Sequence, residues 1–165
     1  MAEIVLAYCA SHAPMMAAAR EAAPQNQQDN FFGALESIRK EARERDVQAC
    51  VVLSNEHFTN FFLENFPQIC IGVGERNWGP TEAWLPIDKA WIPGRPDLAN
   101  HIARHALDHG FDPAFSHLLE LDHGIDKDGA SALLVKLPGQ LVIQIADSRD
   151  LVGDGSVLGI ADRAE

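Results

Sequence analysis

Three of the seven histidines stand in short polar segments that directly follow apolar ones: His12, His57 and His123. Imidazole binds divalent metals and exchanges protons near neutral pH. Two neutral imidazoles together with a carboxylate and open coordination positions suit an Fe(II) ion that must also bind substrate and oxygen. A single loop histidine more often caps a turn or faces solvent. Because two histidines each end a predicted buried strand, the residues alone support a metal site and a structural role about equally.

The elements that would position these histidines follow from apolar periodicity. Helical patterns begin at Phe31 and at Pro96, and a third helix is expected over residues 130–136. Continuous apolar runs typical of buried strands lie between them, at residues 4–9, 49–53, 69–73 and 141–145. This order predicts an α/β fold with a layered, mostly parallel sheet flanked by helices.

Parallel strands would place His12 and His57 in one crevice at the carboxyl ends of the sheet. We expect one domain over residues 1–145 and a polar C-terminal tail over residues 146–165. The segment 76–96 holds four of the nine prolines and all three tryptophans. We predict that this segment is a long shaped loop that forms a wall of a binding site.

The charge and the cysteines limit the class of partner. The chain carries 24 acidic and 13 basic residues, a formal net charge of −11, which argues against nucleic acid or an anionic membrane as partner. The apolar runs are too short to span a bilayer, and the N-terminus lacks the basic region of a signal peptide. Cys9, Cys50 and Cys70 lie in apolar runs, which predicts reduced core thiols in a cytoplasmic protein.

The other four histidines are not assigned to chemistry. His101 and His105 are four residues apart on the 96–108 helix, a spacing that could hold a metal, but no HExxH glutamate lies between them. They flank apolar helix positions, which favours the edges of a packed face. His109 suits the helix C-terminus, and His117 is expected in a strand.

Several short motifs follow one another in a fixed order over roughly residues 4–125. They are Ser11-His12-Ala13-Pro14, Val51-Val52-Leu53-Ser54-Asn55-Glu56-His57, Asn60-Phe61-Phe62, Ile69-Cys70-Ile71-Gly72-Val73-Gly74, Trp78-Gly79-Pro80, Pro96-Asp97-Leu98, His101-Ile102-Ala103 and Leu121-Asp122-His123-Gly124. Several ordered pieces are more specific than any one alone. In this order the sequence resembles the class III extradiol ring-cleavage dioxygenases.

The resemblance implies a set of roles. His12 and His57 match the two histidine ligands of Fe(II), and His123 matches a histidine that faces the substrate and takes part in acid/base chemistry. Glu56 stands where relatives often have aspartate. The implied substrates are O2 and an aromatic diol of the protocatechuate, gallate or substituted catechol class, and we expect a homo-oligomer or a partner subunit.

One departure leaves alternatives open. The family's Gly-Gly-x-Ser-His segment and the glutamate that completes its iron triad have no counterpart after Gly124. We therefore expect a shortened version of the family fold whose third iron ligand is unidentified. A degenerate relative that binds metal poorly and a non-catalytic binding module of the same superfamily are the alternatives to an active dioxygenase.

Overall fold

A computed structural model describes residues 2–10, 13–55, 57–123, 141–147 and 159–162. Strand β1 spans Ala2–Leu6 and is followed by the short helix α1, Met15–Ala18, and a 3₁₀ turn, Arg20–Ala22. The remaining helices are α2, Gln25–Glu44, and α3, Pro96–Asp108. The remaining strands are β2, Ala49–Asn55; β3, Ile69–Gly72; β4, Arg76–Gly79; β5, Ala90–Pro93; β6, Ala114–Ser116; β7, Leu141–Asp147; and β8, Gly159–Asp162.

The main sheet has the strand order β1-β8-β2-β7-β3-β6. Strand β8 pairs antiparallel with both β1 and β2, so β1 and β2 run in the same direction. Strand β7 pairs antiparallel with β2 and parallel with β3, which in turn pairs parallel with β6. The predicted α/β class is confirmed, whereas the expected crevice between His12 and His57 stays a prediction, because His12 lies outside the described residues.

The sheet is mixed rather than mostly parallel, because three of these five strand pairs are antiparallel and two are parallel. A continuous apolar run indicates burial on both faces of a sheet but carries no information on strand direction. The domain was expected to end at residue 145, but the described strands of the sheet extend beyond that residue. Strand β7 runs to Asp147, and β8 lies inside the sheet within the segment expected to be a tail.

Both faces of the sheet are covered. Helix α3 lies on one face, where Ala99 and Ala103 pack against Ile71 and Val73. The other face packs against α2 and the β4–β5 pair, and its buried residues are Ala42, Val47, Cys50, Val52, Cys70, Ile92, Leu119 and Leu121. Cys70 packs on the face covered by α2, and its neighbour Ile71 packs on the face covered by α3. This alternation is the two-residue period of a strand that is buried on both faces.

The helix boundaries test the sequence predictions individually. Helix α3 is confirmed from its N1 proline, Pro96, to Asp108, and Gly110 follows with φ 81°, the left-handed conformation that glycine adopts without strain. Helix α2 begins at Gln25 instead of Phe31, because Pro24 starts the helix. Glutamines are good helix formers, and Gln25 Nε2 donates to Asp29 Oδ1 at 2.8 Å. The helix expected at residues 130–136 lies outside the described residues.

The loop predicted at residues 76–96 contains a two-stranded antiparallel sheet, formed by β4 and β5. Trp78 and Trp91 are cross-strand partners with ring centroids 5.1 Å apart, and the Arg76 guanidinium lies 4.3 Å from the Trp91 ring centre. Such aromatic pairs stabilise a short hairpin despite its prolines. This pairing was not predicted.

The cysteine prediction holds for two residues of three. Cys50 and Cys70 are buried thiols, whereas the Cys9 thiol is exposed. The prediction for Cys9 was wrong because β1 ends at Leu6, three residues earlier than the apolar run suggests. None of the helices in the described part of the chain is long and apolar enough to cross a membrane.

Candidate metal centre

The segment that carries Asp122 and His123 is held in place by β4. Trp78 donates its backbone N–H to Leu119 O at 3.1 Å and accepts from Leu121 N at 2.7 Å. Asn77, which is fully buried, accepts from Leu119 N through its side-chain oxygen at 2.8 Å. These contacts fix residues 119–121 as an extended segment, so the two residues that follow have a defined position.

A pair of hydrogen bonds joins this segment to the chain that follows β2. The Asn60 amide donates to Glu120 O at 2.8 Å, and its side-chain oxygen accepts from Glu120 N at 2.8 Å. Phe58, between β2 and Asn60, has φ 60°, a value uncommon for a bulky residue. The chain therefore turns sharply after His57, and Asn60 holds the turn against the segment that ends in His123.

Asp122 orients His57. Its carboxyl oxygen Oδ2 accepts from the backbone N–H of His57 at 3.1 Å and lies 2.8 Å from ring nitrogen Nδ1. Asp122 is 6% exposed, whereas the His57 side chain is 38% exposed. A carboxylate on Nδ1 places the ring proton there, so Nε2 carries the lone pair that a metal can use.

Glu82 makes the same arrangement with His123. Its oxygen Oε1 accepts from the backbone N–H of His123 at 3.0 Å and lies 2.5 Å from Nδ1. Both side chains are largely buried, at 17% exposure for Glu82 and 13% for His123. Glu82 was not predicted from the sequence, because it lies in the segment 76–96 with no motif or periodicity to single it out.

The two carboxylate-backed imidazoles lie side by side. The His57 and His123 rings are stacked with centroids 4.8 Å apart and an interplanar angle of 27°. One ligand atom from each of His57, Asp122 and His123 lies within 4.8 Å of the others. These are the donor types of a two-histidine, one-carboxylate iron site. Asp122 already uses Oδ2 on His57, so the geometry fits it better as the group that orients a ligand.

The structure brings together two of the three histidines singled out in the sequence. His12 and Ser11 lie outside the described residues, as does Glu56. The other four histidines, His101, His105, His109 and His117, are exposed and do not belong to this cluster. The third ligand expected from the family pattern stays unidentified.

A cavity of about 490 Å³ lies elsewhere, against α1 and the start of α2. Met15, Phe31 and Phe32 are among its lining residues, and Arg20 lies 3.7 Å from the Phe32 ring centre. Neither His57 nor His123 lines it. The cavity is therefore not the space in front of the paired histidines.

Comparison with known proteins decides the family. Residues 6–126 match the family described as the catalytic LigB subunit of aromatic ring-opening dioxygenase. The chain belongs to this family. The matched LigB region contains all three of the histidines predicted from the sequence, together with Glu82 and Asp122.

Named relatives agree with the LigB assignment. The chain is 34% identical over 119 residues to a 2,3-dihydroxyphenylpropionate/2,3-dihydroxicinnamic acid 1,2-dioxygenase of Mycolicibacterium gilvum, a match that covers 70% of this chain and 35% of the relative. Relatives of the same name match in a Mycobacterium species, at 33% over 129 residues (75% and 37%), and in Escherichia coli, at 27% over 120 residues (71% and 35%). The chain thus spans about a third of the length of these LigB-type relatives.

Proposed function

We propose that this protein is a non-haem Fe(II)-dependent extradiol dioxygenase that opens the ring of a catechol-type aromatic diol with O2. Membership of the LigB family supports the reaction class. The observation that carries the proposal is the pair of stacked imidazoles, His57 and His123, each with a carboxylate oxygen on Nδ1. Two such histidines at one site match a chemistry that needs both a metal ligand and a proton carrier.

His57 is the proposed iron ligand among the described residues. Asp122 fixes its tautomer and ring orientation and contributes negative charge next to the imidazole, which raises the basicity of the ligand. His12 is the second proposed ligand, on the family resemblance. Fe(II) held there would supply the coordination of the diol and the electron transfer between the ring and O2.

His123 is the proposed acid/base residue. With Nδ1 held by Glu82, its Nε2 accepts a proton from a ring hydroxyl of the bound diol and later returns a proton to an oxygen of the product. Its side chain is 13% exposed, so it is shielded from bulk water. Glu82 acts through His123 and is therefore a positioning residue.

Exposed phenylalanines that follow His57 in the chain support an aromatic substrate. Phe58 and Phe62 are 52% and 53% exposed, and the Phe58 ring lies 5.9 Å from that of Phe66. Exposed aromatic side chains grouped beside a polar site are typical of surfaces that bind apolar ligands. We propose that this group contacts the diol ring, within the protocatechuate, gallate and substituted catechol class.

The location and the assembly state are proposals of the same kind. Cys50 and Cys70 are buried and unlinked, which supports a reducing, cytoplasmic environment. Several large apolar side chains besides the phenylalanines are exposed, among them Leu63 at 82%, which supports a homo-oligomer or a partner subunit. Light scattering coupled to size exclusion tests the assembly state, and a monomer at all concentrations would exclude the homo-oligomer.

The reaction is tested directly with purified chain loaded anaerobically with Fe(II). Oxygenated buffer and 2,3-dihydroxyphenylpropionate, protocatechuate, gallate or catechol are then added, and product absorbance is recorded with O2 uptake. We expect a yellow ring-opened product from at least one diol, lost in His123→Ala and kept in His117→Ala. A flat trace across these diols with full iron loading would favour the non-catalytic binding module.

A further inference from the structure

Helix α3 carries a row of three histidines that the proposed reaction does not use. His101, His105 and His109 are spaced four residues apart, and all three are exposed. Residues four apart on a helix lie above one another on the same face, with Cβ atoms about 5–6 Å apart. The sequence pattern predicted that the first two lie at the edges of a packed face. The structure shows that Leu98 and Ile102 pack against the sheet, while the histidines face solvent.

The rings of this row already lie against one another. The His105 and His109 ring centroids are 4.0 Å apart with an interplanar angle of 35°, and those of His101 and His105 are 6.4 Å apart at 19°. A tetrahedral ion with metal–nitrogen bonds of about 2.0–2.1 Å needs its two imidazole nitrogens about 3.3 Å apart. Exposed imidazoles on successive helical turns can rotate about their side-chain bonds, which allows an i,i+4 pair to approach that separation.

One hydrogen bond fixes the tautomer of His109 in the form that binds a metal. His109 Nδ1 lies 2.8 Å from the backbone oxygen of His105, and a carbonyl can only accept, so Nδ1 is the protonated nitrogen. The lone pair of the neutral His109 ring is then on Nε2, the tautomer that a metal requires. Capping of the helix C-terminus explains this one contact. It does not explain why two further exposed histidines continue the row toward the N-terminus.

The helix that carries the row is packed against the sheet. Its Ala99 and Ala103 are 0% and 9% exposed and pack against Ile71 and Val73. The helix begins at Pro96, which suits the first turn. A site on such a helix does not have to order its own backbone, so its ligands lose only side-chain freedom when an ion binds.

We propose that His101, His105 and His109 form a surface site for a divalent late-transition-metal ion, separate from the iron centre. His105 is the shared ligand, and it pairs with either neighbour. Two imidazoles with water in the other positions suit Ni²⁺, Cu²⁺ and Zn²⁺, and affinity rises from Fe²⁺ through Ni²⁺ to Cu²⁺. The ion neither needs nor changes the proposed ring-opening activity.

The site is tested by calorimetric titration with Ni²⁺ in the His57→Ala variant of the full chain, which removes the proposed iron ligand. We expect one ion per chain. In that background His105→Ala weakens binding at least about tenfold, since loss even of an outer partner of a metal ligand costs that much. His101→Ala and His109→Ala each weaken binding less, because one histidine pair survives. The double variant, with both substitutions, weakens binding as much as His105→Ala.

His117→Ala is the matched control, since it removes one exposed histidine elsewhere, and it leaves Ni²⁺ binding unchanged. Line broadening of amide NMR signals by substoichiometric Ni²⁺ provides the second readout, with broadening centred on α3 in the same His57→Ala background. Unchanged binding in His105→Ala, an equal loss in His117→Ala, or broadening away from α3 would each overturn the proposal. Helical circular dichroism of each variant shows that the fold is intact.

Discussion

Glu82 Oε1 lies 2.5 Å from His123 Nδ1 and also accepts the His123 backbone N–H at 3.0 Å. One carboxylate oxygen therefore fixes both the ring and the chain of a histidine 41 residues away. The other oxygen, Oε2, is buried and has no hydrogen-bond partner among the described residues. Such a contact sets the tautomer of the imidazole and thereby the atom that exchanges a proton.

Removal of this carboxylate should release the His123 ring. We expect imidazole ¹⁵N NMR to show a single Nδ1–H tautomer for His123 in the wild type and a mixture in Glu82→Ala. Glu82→Gln keeps an acceptor oxygen and should retain most of the wild-type pattern. Glu120→Gln changes an exposed acid nearby and is the control. A mixed tautomer in the wild type, or an unchanged one in Glu82→Ala, would contradict the positioning role.

Asp122 should control metal affinity through His57. Loss of a carboxylate partner of a metal-binding histidine typically weakens metal binding about 10–100-fold, and we expect Asp122→Ala to weaken Fe(II) binding by that factor. Asp122→Asn keeps an oxygen that can accept from Nδ1 and should lose less. Anaerobic Fe(II) titration with a competing chelator measures this. Asp112→Asn removes an exposed acid and should have no effect, and an equal loss there would indicate a general charge effect.

How much of the site the sequence could predict depends on the length scale of each contact. His57 and His123 could be predicted because each follows an apolar run in a family-like motif. The contacts that orient them join residues 65 and 41 positions apart, and no local spacing reveals such pairs. Asp122 was visible in its motif, but its pairing with His57 was not, and Glu82 had no signal at all.

The same difference between local and long-range contacts decides which parts of the fold could be predicted. Local chemistry predicted α3, whose start proline and end glycine act within one turn, and burial predicted β2 and β3. Strand direction, the position of β8 and the β4–β5 pair depend on contacts between distant segments. Apolar patterning gives the faces of a strand but not its neighbours.

Gly79 should be intolerant of any side chain. A Cβ atom there would lie 2.7 Å from both the Cβ and the backbone oxygen of Leu121, directly before Asp122. We expect Gly79→Ala to lower the free energy of unfolding by about 1–3 kcal/mol, as overpacking does. Urea unfolding measures this.

Gly33 provides the opposite case within the same chain. It lies inside α2, and a Cβ there would meet nothing within 4 Å. Gly33→Ala should therefore raise the free energy of unfolding by about 0.4–1 kcal/mol, since alanine restricts the unfolded chain and favours helix. Equal effects of the two substitutions would show that the close approach at Gly79 is absent.

Tyr8 should make the protein sensitive to high pH. Burial, with a smaller effect of nearby Cys50, raises the pKa of its phenol far above the ordinary value of 10.0. The unfolded chain then loses this proton first, so the contribution of Tyr8 to stability is complete below about pH 10 and declines as the pH rises further. The Tyr8 hydroxyl is buried without a hydrogen-bond partner among the described residues.

The chain has a single tyrosine, so the change in absorbance near 295 nm with pH reports this group, above a constant contribution from the three tryptophans. We expect no phenolate signal from the folded protein at pH 11, and a titration near pH 10 in urea. Tyr8→Phe should be as stable as the wild type or more so, because it removes a hydroxyl that has no partner. A phenol that titrates near pH 10 in the folded protein would contradict the burial of Tyr8.

The central claim is that His57, oriented by Asp122, binds the iron of a ring-opening dioxygenase. Electron paramagnetic resonance of the ferrous protein with nitric oxide, with and without 2,3-dihydroxyphenylpropionate, tests it most directly. The His105→Ala background excludes the surface site on α3. We predict a high-spin iron–nitrosyl signal that the diol perturbs, that is lost in His57→Ala and that is kept in His117→Ala. An equal signal in His57→Ala, or one that the diol does not change, would contradict the claim.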